Sequence, residues 1–415
     1  MHTKTIYPAR ILLGLIVLAN LALTMQVYLY NKELQTTLFL LQKNLDAQIV
    51  CPSTDMFSSW QGFFEELTAE TEETIPAEDT EQIEDIEFVA DTIDTTTENT
   101  TDSIISTAGN KGIYIPNYKL SSIDEYIDLA NSSEINSFVL DVKDDKGTLT
   151  LNNSLLPDII EQLNDNDIYP IARLVAFKDN TVGNTYPERM IQDYDGNVYE
   201  TSGGETWLNP YNTDNWEYLL DICKDVVDLG FKEIQFDYIR FHESMNSERV
   251  DLPTDDKSKI EIINEFVDYI TTELSELDVV VSASVFGSVI VSSVDAAILG
   301  QDYASLLTKF DVIYPMIYPS HYGSGWYGVE YPDLEPYAIV FGALNDSNKI
   351  AYELDVPTAT VIPWLQDFTA SWLDPYQTYD ATQIQAQVTA TYDASIDGWL
   401  LWNGAANYTT DFLIQ

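Results

Sequence analysis

Asp237 ends the run Gly230-Phe231-Lys232-Glu233-Ile234-Gln235-Phe236-Asp237, and Asp141 ends Ser137-Phe138-Val139-Leu140-Asp141. Two carboxylates brought to one rim can divide the work of nucleophile or base and proton donor between them. Glu233, Gln235 and Asp237 share one parity while Ile234, Phe236 and Tyr238 share the other, so a strand here puts its polar set on one face. That suits the inward face of a parallel barrel, whose last inward residue stands at the catalytic rim. Arg173, within Ile171-Ala172-Arg173-Leu174-Val175, is expected inside too, because an outward charge would meet helices. A buried arginine needs a carboxylate partner. If Asp237 is that partner it is held as the anion, which suits a nucleophile or electrostatic stabiliser and not a general acid. The plainer reading of Asp141 is an ion pair with Arg173 or Lys143, or a cap on the following turn.

Arg240, His242 and Glu243 follow Asp237 in the loop and are each candidates to complete the site, Glu243 as partner carboxylate next after Asp141, and Arg240 with Arg173 as substrate-binding residues. His321, between Tyr318 and Tyr322, is placed for contact with substrate; its plainer role is a hydrogen-bonding scaffold. Trp364, Gln366, Trp402 and Asn403 come from the ends of the last two strands. Indole faces beside amides are what sugar rings need, since C–H faces stack on them and hydroxyls pair with amides and carboxylates. Trp399 and Trp402 are separated by an odd step, so one faces the interior and the other packs under a helix.

Strands and helices alternate from Lys111 onward. Strand-like runs fall at Gly112–Ile115, Ser137–Val142, Tyr169–Phe177, Glu233–Asp237, Val279–Phe286, Val312–Tyr318, Ala359–Gln366 and Gly398–Trp402, about the eight that a closed barrel requires. Helix-period segments at 122–130, 156–163, 215–229 and 259–277 lie between them. A doubly wound sheet would also alternate, but no Gly-x-Gly-x-x-Gly follows the first strand. Long insertions, Lys178 to Tyr211 and Tyr318 to Trp326, follow strands, which in a barrel places them on the catalytic face as walls of a cleft. The expected class is therefore α/β, a (β/α)8 TIM barrel over residues 111–415.

The net charge of -49 argues against nucleic acid and anionic lipid headgroups as partners, both of which need clustered Lys or Arg. Cys51 and Cys223 are the two cysteines, too few for a disulfide framework or a Cys-based zinc site. Three histidines, and no His-x-His on the first strand, disfavour a metal-dependent hydrolase, and no cofactor is expected. Ahead of the barrel, residues 1–10 carry Lys4 and Arg10, and 11–30 are an apolar run long enough to cross a bilayer of about 30 Å. A cleaved signal peptide usually has a shorter apolar region and an Ala-x-Ala-like site, so an uncleaved anchor is expected. Its basic flank keeps residues 1–10 in the cytoplasm and the C-terminal domain outside the cell. In the segment 31–64, Leu34, Leu38, Leu41, Leu45 and Ile49 form a helical seam, which implies a membrane-proximal helix and at most a weak homodimer. Residues 65–110 are rich in Thr, Glu and Asp with no Lys or Arg, and read as a disordered acidic linker.

Glu233 to Phe241, with Tyr169-Pro170-Ile171-Ala172-Arg173, Trp207-Leu208-Asn209-Pro210-Tyr211 and Met316-Ile317-Tyr318-Pro319-Ser320-His321-Tyr322, resembles the bacterial putative glycosyl hydrolase domain family. The resemblance runs from about Lys111 to the C-terminus. It implies a (β/α)8 barrel distantly similar to α-amylase-type glycosidases, with an acidic catalytic residue on the fourth strand, here Asp237. His242 stands where that family is expected to have proline. A chitinase-like Asp-x-x-Asp-x-Asp-x-Glu overlaid on Asp237 puts Ile239 in place of the acid, and no carboxylate ends the fifth strand Val281 to Gly287. The expectation is a membrane-anchored, extracellular glycoside hydrolase acting on a polysaccharide, with Asp237 and a second carboxylate at the rim. The alternative is a catalytically inactive barrel that binds cell-surface polysaccharide as an adhesion or scaffold head.

Overall fold

The computed structural model describes residues 109–245, 249–254 and 256–409. The anchor expected at 11–30, the helix and weak homodimer expected at 31–64, and the expected linker up to residue 108 lie outside the described residues. Among the described residues no helix is long and apolar enough to cross a membrane.

The strands are β1 (Lys111–Ile115), β2 (Ser137–Lys143), β3 (Tyr169–Val175), β4 (Glu233–Asp237), β5 (Val280–Phe286), β6 (Val312–Ile317), β7 (Thr360–Val361), β8 (Trp364–Gln366) and β9 (Trp399–Trp402). Every pairing between them is parallel. β1 pairs with β9 and β5 with β6, so the sheet closes on itself. The seventh barrel position, expected as one strand over Ala359–Gln366, is shared by β7 and β8, which both pair with β6. The break falls at Ile362-Pro363 because proline has no N–H to donate to a ladder. Its carbonyl still accepts from Leu400 N at 2.9 Å. The result is the eight-position closed barrel that the alternating pattern predicts.

Helices α1 (Ile123–Asn131), α2 (Leu156–Asp165), α3 (Asp214–Asp228), α4 (Lys259–Leu274), α5 (Ser293–Leu299), α6 (Tyr303–Leu307), α7 (Pro336–Leu354) and α8 (Ala381–Asp393) connect the strands. α4 starts where Ser258 and Glu261 form a reciprocal capping box, and α8 where Asp380 and Gln383 do the same, each satisfying amides that the first turn would leave without partners. The strand alternation sorts side chains into two cores. Ile234 and Phe236 pack outward against the helices, Phe236 meeting Phe266 of α4 edge-on at 6.0 Å. Tyr114, Val139, Ile171, Tyr314, Trp364 and Leu400 fill the interior. Trp399 belongs to the outer core, donating to Tyr392 OH of α8 at 3.1 Å, and Trp402 turns inward, as their odd spacing requires. Glu233 lies inside with no exposed surface. It accepts from Ser282 Oγ at 2.6 Å, and burial pushes its carboxyl up to about 7.

The loops after β3 and β6 are folded excursions on the C-terminal face. In the first, Lys178 pairs with Trp207 and Met190 with Leu208 in antiparallel bridges, so Trp207 is fully buried behind the barrel mouth. In the second, the ring of Tyr327 lies on α7 where Gly342 leaves room. A Cβ at that position would stand 2.4 Å from the ring, which accounts for a helix-weakening glycine in mid-helix.

Candidate active site

The register of the strands assembles the site. Arg173 of β3 stands level with Asp141 of β2 on one side and Gln235 of β4 on the other, and its long side chain climbs toward the rim where Asp237 ends β4. Arg173 Nε and Nη2 donate to Asp237 Oδ2 at 2.8 and 2.7 Å. Nη1 donates to Asp141 Oδ1 at 2.7 Å, and Nη2 also reaches Asp145 Oδ1 at 2.8 Å. One guanidinium therefore serves three carboxylates. Burial alone would lower its pKa, but Asp237, Asp141 and Asp145 raise it well above the ordinary value.

Asp237 is almost fully buried, and its second oxygen accepts from the Tyr238 amide at 2.7 Å. Tyr238 has φ of 51°, a left-handed conformation that costs a bulky residue about 1–3 kcal/mol. That turn ends β4 and sends the chain back so that Arg240 re-enters the mouth.

Asp141 and Asp145 differ in setting. Burial pushes the Asp141 carboxyl up, against the pull of Arg173 and of Tyr114, whose hydroxyl donates to Asp141 Oδ2 at 2.5 Å. Burial would also raise Asp145, but the Arg173 guanidinium, with Lys178 and Lys143, holds it below the usual range. Asp141 is closed behind Arg173, whereas the side chain of Asp145 is 46% exposed and lines the cavity. The carboxylate beside Asp237 that reaches the open space is thus Asp145, not the expected Asp141. The only signal for it in the sequence is its place two residues past the end of β2, within Lys143-Asp144-Asp145-Lys146.

The cavity measures about 330 Å³ and is lined by Asp145, Arg173, Asp237, Tyr238, Arg240, Phe286, Gly287, Ser288, Met316, Tyr318, His321, Tyr322, Trp364 and Trp402. Trp402 stacks on Tyr114 at 4.4 Å and meets Trp364 edge-on at 5.6 Å, forming an aromatic wall beneath Arg173. Trp364 is fixed by its indole N–H on Ser284 Oγ at 3.2 Å. His321 packs edge-on against Tyr318 and Phe368, and burial lowers its pKa, so the imidazole is neutral at pH 7. Trp372, stacked on Phe368 and 65% exposed, extends this aromatic surface outward.

Three expected site residues lie elsewhere. Glu243 opens onto an adjoining outer cavity of about 500 Å³, its carboxylate 3.4 Å from His242 Nε2, and does not line the cavity that holds Asp237. Gln366 has no exposed surface. Its oxygen accepts from Ser320 N at 3.1 Å and its amide donates to Asp333 and Phe368, so it ties three loops together. Asn403 donates to the Asp367 and Asn407 carbonyls at 2.6 and 2.9 Å and accepts from Ala405 N, fixing the turn after β9. Both amides are spent on backbone geometry, which a sequence pattern does not separate from ligand contact. Among the described residues, no group of three or more His, Cys, Asp or Glu has the arrangement of a metal site.

A family model described as "Putative glycosyl hydrolase domain" matches residues 112–408. No curated protein matches the chain. Among solved structures, the glycoside hydrolase domain of PgaB (BpsB) from Bordetella bronchiseptica is 14% identical, over 73% of this chain and 98% of that one, with a TM-score of 0.55. At that identity the likeness concerns the fold. A hypothetical protein from Ruminiclostridium thermocellum ATCC 27405 is 36% identical, over 41% of this chain and 96% of that one, with a TM-score of 0.38. The spore cortex-lytic enzyme SleL of Bacillus megaterium QM B1551 is 14% identical, over 74% of each chain, with a TM-score of 0.46.

Proposed function

We propose, from the premise that this chain belongs to the family described as "Putative glycosyl hydrolase domain", that it hydrolyses O-glycosidic bonds of a polysaccharide with Asp237 as the nucleophile. The observation that carries this reading is the carboxylate of Asp237 at the base of an aromatic-walled cavity, oriented by Arg173 and the Tyr238 amide. Asp145 is its partner. Burial is the largest influence on the Asp145 carboxyl and acts upward, so a sugar that covers it and loosens its contact with Arg173 converts it into a proton donor. Trp402, Trp364, Tyr318 and His321 line the cavity with aromatic surface of the kind a sugar ring packs on.

Asp145 Oδ1 and Asp237 Oδ2 lie 2.8 and 2.7 Å from the same nitrogen, Arg173 Nη2, so these oxygens are at most about 5.5 Å apart. That ceiling is compatible with a double displacement, which takes about 5–5.5 Å, and lies below the about 6.5–9.5 Å that admits a water between the carboxyls. The expected product keeps the anomeric configuration of the substrate. Proton NMR of the first-formed sugar, from whichever cell-wall polysaccharide or α-glucan releases reducing ends, reads this directly. An inverted first product would rule out the Asp145–Asp237 pairing.

Residues 11–30 hold the protein in the membrane, and the acidic linker carries the barrel outside the cell. The length of the apolar run and its basic N-terminal flank support this. The chain should then stay with membranes after carbonate washing, and protease added to intact cells should release the barrel. Recovery in the soluble fraction, or full protection in intact cells, would exclude the arrangement.

A binding head is favoured by one observation: Arg173 already neutralises both carboxylates that reach the cavity. No reducing-sugar release from any polysaccharide, with binding unchanged by Asp237→Asn, would establish that reading instead.

A further inference from the structure

Arg240 is 7% exposed, and three rings enclose its guanidinium: Phe286 at 4.4 Å, Tyr238 at 4.9 Å and Trp207 at 5.2 Å from its carbon. Nη1 donates to the Phe241 carbonyl at 2.9 Å. Among the described residues no carboxylate forms an ion pair with it, so most of its five N–H donors have no protein acceptor. The contrast with Arg173, which serves three carboxylates one strand away, is direct. A buried cation without a counter-ion is costly, and a desolvated ring face returns only about 2 kcal/mol per good contact against a charge-burial cost several times larger. Burial accordingly lowers its pKa, with Tyr238, Asp237, Glu243 and Glu205 acting in the opposite direction through space. Of the acids that line the outer cavity, Glu205 is held by Lys178 at 2.6 Å, Glu243 lies 3.4 Å from His242 Nε2 with its side chain largely exposed, and neither Glu243 nor Asp295 forms an ion pair with Arg240.

Arg240 lines both the cavity that holds Asp237 and the outer one, so a chain of sugars leaving the first passes over it. We infer that Arg240 is the receptor for a carboxylate carried by the substrate, and that the barrel takes an acidic polysaccharide with an acidic sugar next to the bond that Asp237 attacks. The planar fork of a guanidinium matches a carboxylate bidentately, and the surrounding rings supply the apolar collar that strengthens such a pair. The net charge of -49 does not oppose this at contact. Charges farther off are screened over about 8 Å in physiological salt, while Arg240 is itself almost fully buried, where a pair is screened much less.

The inference rests on the glycosidase reading for the site's location, and its test reads binding, which needs no turnover. The full chain in detergent is titrated calorimetrically with galacturonate oligomers, glucuronate oligomers, the same oligomers after carboxyl reduction, and a sulfated neutral oligomer. Binding of a uronate oligomer roughly 10- to 100-fold tighter than its reduced form is expected, with Arg240→Met, which keeps the apolar stem, reducing the ratio to near one. Equal binding of acidic and reduced oligomers by the parent protein, or no binding of any, would overturn the inference without any variant being made. A preference for the sulfated oligomer alone would overturn the carboxylate assignment. Tight uronate binding that Arg240→Met abolishes, with no reducing-sugar release from any polysaccharide, would leave Arg240 as the receptor in a binding head and refute the enzyme reading.

Discussion

Asp237→Asn, which removes the nucleophile, should cut polysaccharide hydrolysis by roughly 10⁴- to 10⁶-fold and leave affinity for the polysaccharide within a few-fold. The substitution preserves shape but replaces an acceptor by a donor. Asp237 accepts on both oxygens, from Arg173 on one and from the Tyr238 amide on the other, so an asparagine must turn its NH2 toward a donor whichever way it is flipped. Part of the effect will therefore appear as lost stability, about 1–3 kcal/mol for a buried donor left without its acceptor. Thermal denaturation separates the two, because a folded variant at assay temperature shows the chemical loss alone. The hydrogen bonds to Asp237 come from Arg173 and Tyr238, not from Trp402, Trp364 or Tyr318, which would hold the sugar, so binding survives. Residual turnover within tenfold of the parent, in a folded variant, would remove Asp237 from the chemistry.

The parity of Glu233, Gln235 and Asp237 was enough to place β4, since a polar face on a buried strand fits a barrel interior and little else. The inward turn of Arg173 and its pairing with Asp237 followed from the cost of burying an unpaired cation. Other features depend on contacts that a linear pattern does not encode. Asp141 has the same strand-end placement as Asp237, yet the bulge between Asp141 and Lys143 and the hydroxyl of Tyr114 keep it behind Arg173. Asp145 reads as an ordinary loop acid until the fold brings it onto Arg173 from 28 residues away in sequence. Gln366 and Asn403 carry the chemistry of sugar recognition, but loops that arrive from 46 and 36 residues away consume it. Helix α7 was hidden for a local reason. Its apolar residues Ile339, Val340, Ala343 and Leu344 are followed by Asn345-Asp346-Ser347-Asn348, which lowers its intrinsic helix propensity. Packing against α8 and the Tyr327 ring overrides that preference.

Arg173→Met should destabilise the barrel by about 3–5 kcal/mol at pH 7, a large fraction of the about 5–15 kcal/mol that holds an ordinary domain folded. Methionine refills most of the volume, so the loss measures charge more than packing. Without the guanidinium, Asp141, Asp145 and Asp237 face one another at the barrel mouth with no cation between them. The pH dependence then identifies the cause. In the parent, Arg173 holds the Asp145 carboxyl below its unfolded value of about 3.9, so its contribution is present at neutral pH and is lost as pH falls through the lowered folded value. In the variant that contribution is gone at every pH, and the crowded carboxyls bind protons more readily folded than unfolded. Their penalty is absent in acid and grows as pH rises above about 4. The gap between parent and variant should therefore be widest at pH 7 and narrow markedly toward pH 4, as read by urea unfolding at both values. An equal gap at both pH values would mean that Arg173 acts by filling space, and that the three carboxylates do not depend on it for their charge.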